Sequence, residues 1–134
     1  MPRRMLPGLL VFVVASGCGG HGRAAPDTGA RQCLKVFFEA VVEKNWEESY
    51  AALDPPSKRA CTQAQFQVLA QNYLRGLGFV PESVRLQFCE EQGMEARGHV
   101  VLEGHLEDKS RRYKDAVLLR RSDDCWGIVL PSSW

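Results

Sequence analysis

The chain has no excess of charge of either sign: 17 Lys and Arg stand against 16 Asp and Glu over 134 residues, with only three histidines. A nucleic-acid partner calls for a concentrated basic face. The one local cluster, Arg111-Arg112 with Arg120-Arg121, reads instead as the solvated ends of a strand pair. A long hydrophobic run is missing as well. The most apolar stretch, Leu6 to Ala15, is ten residues and contains Pro7 and Gly8, whereas a spanning helix needs ~20. No Gly-x-Ser-x-Gly, His-Glu-x-x-His or glycine-rich phosphate loop occurs, which leaves the common nucleophile, metalloprotease and nucleotide signatures without a carrier. No two cysteines have the two-residue spacing of a zinc site, and His99 and His105 are six apart. No cofactor and no metal are expected.

The N-terminus is informative. Arg3 and Arg4 form a positive start, Leu6 to Ala15 an apolar centre, and Ala15-Ser16-Gly17 place small side chains before Cys18, the pattern of an export leader. Ala15-Ser16-Gly17-Cys18 resembles the lipidation box of bacterial lipoproteins, although Ala15 stands where that box more often carries a larger aliphatic residue. The resemblance implies that residues 1–17 are removed and that Cys18 is lipidated. The domain is then anchored in a bacterial cell envelope, facing the periplasm; ordinary secretion is the alternative. Two acyl chains suffice for stable anchoring at ~0.8 kcal/mol per buried methylene. Loss of Arg3 and Arg4 would turn the net charge from +1 to −1. Residues 18–30, with Gly19 to Ala30 reading GGHGRAAPDTGA, lack apolar periodicity and read as a flexible tether. His21 is a solvated part of it.

Residues 31–134 form the folded domain. Leu34, Phe37, Phe38, Val41 and Val42 recur at helical spacing, predicting a core-facing helix from about Arg31 to Lys44. Asn45 with Glu48 is a capping box, so a second helix runs to about Leu53 with Trp46 and Tyr50 inward, and Asp54-Pro55-Pro56-Ser57 stops it. Thr62 with Gln65 opens a third helix, with Phe66, Leu69, Ala70, Tyr73 and Leu74 on its inner side and Gly76 and Gly78 at its end. After Pro81 the period becomes two. Val84, Leu86 and Phe88 form one face of a first strand, Met94 to Leu102 a second, Tyr113 to Arg120 a third, and Trp126, Ile128 and Leu130 mark a fourth. Glu90–Gly93, Gly104–Arg111 and Arg121–Asp124 are the connections. Helices followed by a meander predict an α+β domain.

The stretch Phe37-Phe38-Glu39-Ala40-Val41-Val42-Glu43-Lys44-Asn45-Trp46-Glu47-Glu48-Ser49-Tyr50-Ala51-Ala52-Leu53, followed by a helix and four strands, resembles the opening of NTF2-like (cystatin-like α+β) domains. The resemblance implies three N-terminal helices packed on a curved four-stranded antiparallel meander, a cone with an apolar cavity at its open end. Relatives use that cavity as an enzyme pocket, a ligand pocket or a protein-contact surface, so fold does not settle function. The residues implied at the cavity are Phe38, Val42, Trp46, Tyr50, Phe66, Tyr73, Tyr113, Asp115 and Trp126. Tyr113 with Asp115, or His99, would serve a pocket enzyme, but alternation along its strand turns His99 away from the cavity. No catalytic residue is assigned. In an oxidising compartment four cysteines tend to pair, with three connectivities open. In this fold the first and third helices are neighbours, which favours Cys33 with Cys61. Cys89 and Cys125, on the first and fourth strands of a meander, would lie ~14 Å apart, beyond the ~7 Å limit. The expected protein is a membrane-anchored, non-enzymatic module whose cone binds a small apolar ligand or a protein partner. A homodimer through the outward sheet face, including Val101 and Leu118, is the structural alternative.

Overall fold

A computed structural model describes residues 26–134. The leader, Cys18 and the tether up to residue 25 lie outside the described residues. Helix α1, Ala30–Val42, sinks Leu34, Phe37, Phe38 and Val41 completely, as its spacing predicts. Side chains on one stripe of a 3.6-residue repeat have only one direction in which to leave water together. Helix α2, Trp46–Ala51, starts on Asn45, whose side chain accepts from the Glu48 amide at 3.2 Å and donates to the Glu48 carboxylate at 2.9 Å.

The segment Asp54-Pro55-Pro56-Ser57 does stop α2, and it also starts a short helix absent from the sequence reading, α3, Pro55–Ala60. Both prolines sit in the first turn, where no amide is needed for the ladder. Asp54 caps the turn by accepting from Ser57 N at 3.1 Å. Helix α4, Gln63–Gly76, begins at the expected capping box: Gln65 N donates to Thr62 Oγ1 at 3.2 Å and Thr62 N to Gln65 Oε1 at 2.9 Å.

Four strands follow, β1 Val80–Gln92, β2 Glu95–Leu106, β3 Lys109–Ser122 and β4 Cys125–Ile128. They pair antiparallel in the order β1-β2-β3-β4, the expected meander. The hairpin connections are only two residues long, tighter than the polar stretches suggested. Asp123 and Asp124 both hold positive φ, 48° and 64°, as a two-residue turn matched to sheet twist requires. Concave rows run Val84, Leu102, Tyr113 and Leu86, Val100, Asp115. They close over α1 around a core that includes Leu102, Leu119 and Ile128.

Phe88 departs from its expected face. A register shift between Leu86 and Phe88 inserts an extra residue, which reverses the side-chain alternation beyond it. Cys89 is thereby buried and Phe88 is turned outward, where its ring stacks on His99 at 4.0 Å.

Candidate functional site

The concave face ends in an aromatic nest filled by the chain itself. After β4 the backbone is pinned by Val129 N to Leu118 O at 2.9 Å and Leu130 N to Ser57 Oγ at 3.0 Å. It then turns at Pro131, with Trp134 N donating to the Pro131 carbonyl at 3.2 Å. The turn folds the Trp134 ring inward. It stacks on Tyr73 at 4.1 Å and 15°, with Phe37 at 5.6 Å and Phe66 at 6.3 Å. A space of about 240 Å³ remains at the mouth, bordered by Tyr73, Leu77, Tyr113 and Trp134 among others.

Beside this nest lies a polar pair. The Tyr73 hydroxyl donates to Asp115 Oδ2 at 2.6 Å, and Ala116 N donates to Asp115 Oδ1 at 2.8 Å. Burial, then the hydrogen bond to Asp115 and its negative charge, push the Tyr73 phenol far above its ordinary value, so it keeps its proton. Both carboxylate oxygens are engaged. Asp115 therefore partners Tyr73, whereas the sequence placed it with Tyr113, which meets Tyr73 edge-on at 6.3 Å.

The nine residues implied for one cavity are thus distributed over several places. Tyr73, Tyr113 and Asp115 gather at the mouth. Phe38 and Phe66 are fully buried core. Tyr50 is structural: its hydroxyl lies 2.9 Å and 2.8 Å from the Lys58 and Cys61 carbonyl oxygens and ties down the end of α3. Trp126 belongs to the other end of the domain, where its Nε1 donates to Thr28 Oγ1 at 2.9 Å. Val42 and Trp46 line a separate cleft of about 380 Å³ between the ends of α1 and α4 and the start of β1. His99 sits on the outward face, as its alternation predicts. Also outward, Val101 is buried beneath neighbours that include its cross-strand partners Arg85 and Lys114.

Sequence reasoning missed Trp134. Its signal was faint but present: Trp126, Ile128 and Leu130 alternate inward, Pro131 breaks the strand, and one large aromatic follows two serines.

The preferred Cys33–Cys61 bridge is not formed; all four cysteines of the described residues are free. Cys33 Sγ faces the carbonyls of Trp126 and Ala52 at 3.5 and 3.7 Å, while Cys61 Sγ faces that of Ser57 at 3.6 Å. The insertion of α3 gives Cys61 a hydrogen-bond partner within its own helix end. Among the described residues no group of three or more His, Cys, Asp or Glu is placed to hold a metal ion.

No family model matches the sequence, and no curated protein does. Solved structures do match. A SEC-C motif-containing protein of Rhodopseudomonas palustris is similar with a TM-score of 0.55 at 10% identity, over 73% of each chain. An NTF2-like transpeptidase from Campylobacter jejuni is similar with a TM-score of 0.53 at 11% identity, over 75% of this chain and 96% of that one. An LEH-like epoxide hydrolase of Mycobacterium tuberculosis gives 0.48 at 14% identity, over 78% and 84%. At such identities the likeness is one of fold. The helices, the strand order and the Campylobacter jejuni neighbour agree on an α+β domain with the NTF2-like fold.

Proposed function

We propose that this protein is a lipid-anchored binding module of a bacterial cell envelope whose cone mouth takes a small apolar ligand in the place held by Trp134. One observation carries the reading: an aromatic nest built from α1, α4 and β3 is occupied by a side chain on a short turn after β4. A flat ring is the shape that nest already accepts, because offset stacking and edge contacts favour it. Binding is favoured over catalysis because Tyr73 keeps its proton and both oxygens of Asp115 are committed to protein donors. The pair then orients a ligand hydroxyl or amide at the rim. The anchor itself rests on the leader and Cys18.

The test uses p-cresol, a ring with one hydroxyl, added to the full chain while the Trp134 indole N–H is followed by NMR. Its resonance is expected to move toward the position of free indole, and Trp134→Ala is expected to bind p-cresol more tightly because the competing ring is gone. An unmoved Trp134 resonance at saturating p-cresol, with no gain in the variant, would refute the exchange. On protein from a bacterial host, the mass of the N-terminal peptide checks the anchor: Cys18 carrying diacylglycerol is expected, and a free Cys18 refutes it.

A further inference from the structure

The cleft on the opposite face of the C-terminal half of α4 has a composition that the cone reading does not use. Its volume is about 380 Å³, within the range of small-molecule sites. Trp46, Leu74, Phe79 and Pro81 give it apolar walls, and the charged side chains lining it are Lys44 and Arg75. No carboxylate lines it. Among the described residues neither cation has a carboxylate within 4.0 Å, since the ion pairs there are Lys35–Glu39, Arg85–Glu103, His105–Glu82, Arg120–Glu95 and Arg121–Asp124. Arg75 is steadied by donating from Nη1 to Asn72 Oδ1 at 3.3 Å.

Lys44 adds an independent observation. It follows the C-cap Glu43 with φ of 60°. Lys44 N donates to Val41 O at 3.1 Å and Asn45 N to Ala40 O at 2.8 Å, which is the Schellman closure of a helix. That position favours glycine because a Cβ in the left-handed region is strained. Attraction between a cation and a helix C-terminus accounts for Arg75 in the last turn of α4. It does not account for a lysine where glycine would be more stable. Backbone strain retained beside a cavity points to a use for the side chain.

From this arrangement we infer that the cleft is a second binding site, distinct from the cone, for an amphipathic carboxylate whose apolar body lies on Trp46, Leu74 and Phe79 and whose carboxylate is held between Lys44 and Arg75. Both cations donate to the acid, and the walls exclude water from its chain. An uncharged analogue keeps only the second contribution.

Calorimetric titration of the full chain with decanoate, and with decanol as the uncharged comparator, tests the site. Decanoate is expected to bind about a hundredfold more tightly than decanol, each cation supplying about tenfold, the scale of one well-formed charged hydrogen bond. Arg75→Gln and Lys44→Gly should each remove about tenfold for decanoate and leave decanol unchanged. Lys44→Gly should at the same time raise the thermal midpoint, so weaker binding cannot be ascribed to a damaged fold. Lys44→Arg should restore decanoate affinity, and Trp134→Ala should not alter it.

Equal affinity for decanoate and decanol, no binding of decanoate, or a Lys44→Gly variant that binds decanoate normally would each overturn the assignment. Loss of decanoate binding in Trp134→Ala but not in Lys44→Gly would overturn it in favour of the cone. Co-sedimentation with phosphatidylglycerol vesicles, without a response to decanoate, would overturn it in favour of a membrane surface.

Discussion

The Cys33 thiol points from α1 toward the backbone carbonyls of Ala52, after α2, and Trp126, on β4. Burial first, then the neighbouring Cys89, raises it to about 11, so the reactive thiolate is a minor species at neutral pH. Burial likewise raises Cys61 and Cys89. Cys125 is exposed at the start of β4. Iodoacetamide at pH 8 should therefore modify Cys125 first in the native protein, and Cys33 and Cys89 only after unfolding. Time-resolved peptide mass spectrometry reads the order, and early modification of Cys33 would contradict the packing described. Leu34 shows the same dependence on neighbours. It fills the space above Gly98, where any Cβ would overlap it.

At the scale of elements, the least expected junction is the link from α2 to α3. Asp54 N donates to Ile128 O at 2.8 Å and Ile128 N to Ala52 O at 2.8 Å, so the linker adds a short parallel bridge to the edge of β4. Gly127 makes the approach possible, since a Cβ there would stand 2.7 Å from the Asp54 amide nitrogen. Backbone cannot swing aside as a flexible side chain can. Gly127→Ala should accordingly cost about 2 kcal/mol, the scale of overpacking, and denaturant unfolding monitored by circular dichroism measures it. The periodic elements were legible because burial imposes a repeat on sequence: α1, α4 and the inward face of β3 read directly from Leu34, Phe66 and Val117. The linker was not, because Pro55 and Pro56 end one helix and begin another by the same property, a missing amide. The bulge near Gln87 escaped notice for a related reason: it depends on pairing with β2 rather than on any residue in β1. At the site, Tyr113 and Asp115 were visible as a strand face. Tyr73 was visible on the inner side of its helix, but its meeting with Asp115 and Trp134, and separately the cleft of Lys44 and Arg75, arise only through tertiary packing, which no local spacing encodes.

Over the whole molecule, the first and last parts of the domain are joined by a clasp around Glu91. Its Oε1 accepts from Thr28 N at 2.8 Å and Ala30 N at 3.2 Å, its Oε2 accepts from the Thr28 hydroxyl at 2.9 Å, and that hydroxyl oxygen accepts from Trp126 Nε1 at 2.9 Å. Gly29, the N-cap of α1, offers no side chain, so β1 supplies the anion that the amides at the helix start require. The chain is therefore fastened to the domain from Thr28 onward, a few residues before the end of the expected tether. Partial desolvation alone would raise the Glu91 carboxyl. The three hydrogen bonds and the charge of Arg121 together outweigh it and leave the group below its ordinary value. A carboxylate depressed in the folded state stabilises the fold above the unfolded pKa of about 4.3, and that contribution disappears as pH falls through the lower folded value. Glu91→Gln should thus be less stable than the parent by about 0.5–1 kcal/mol from pH 8 down to about pH 5. The two proteins should converge in stability only as pH falls below the depressed folded value of Glu91. Urea midpoints for both chains across that range check the sign. A gap that stays constant into acid would mean that the clasp acts through shape, with the charge on Glu91 contributing nothing.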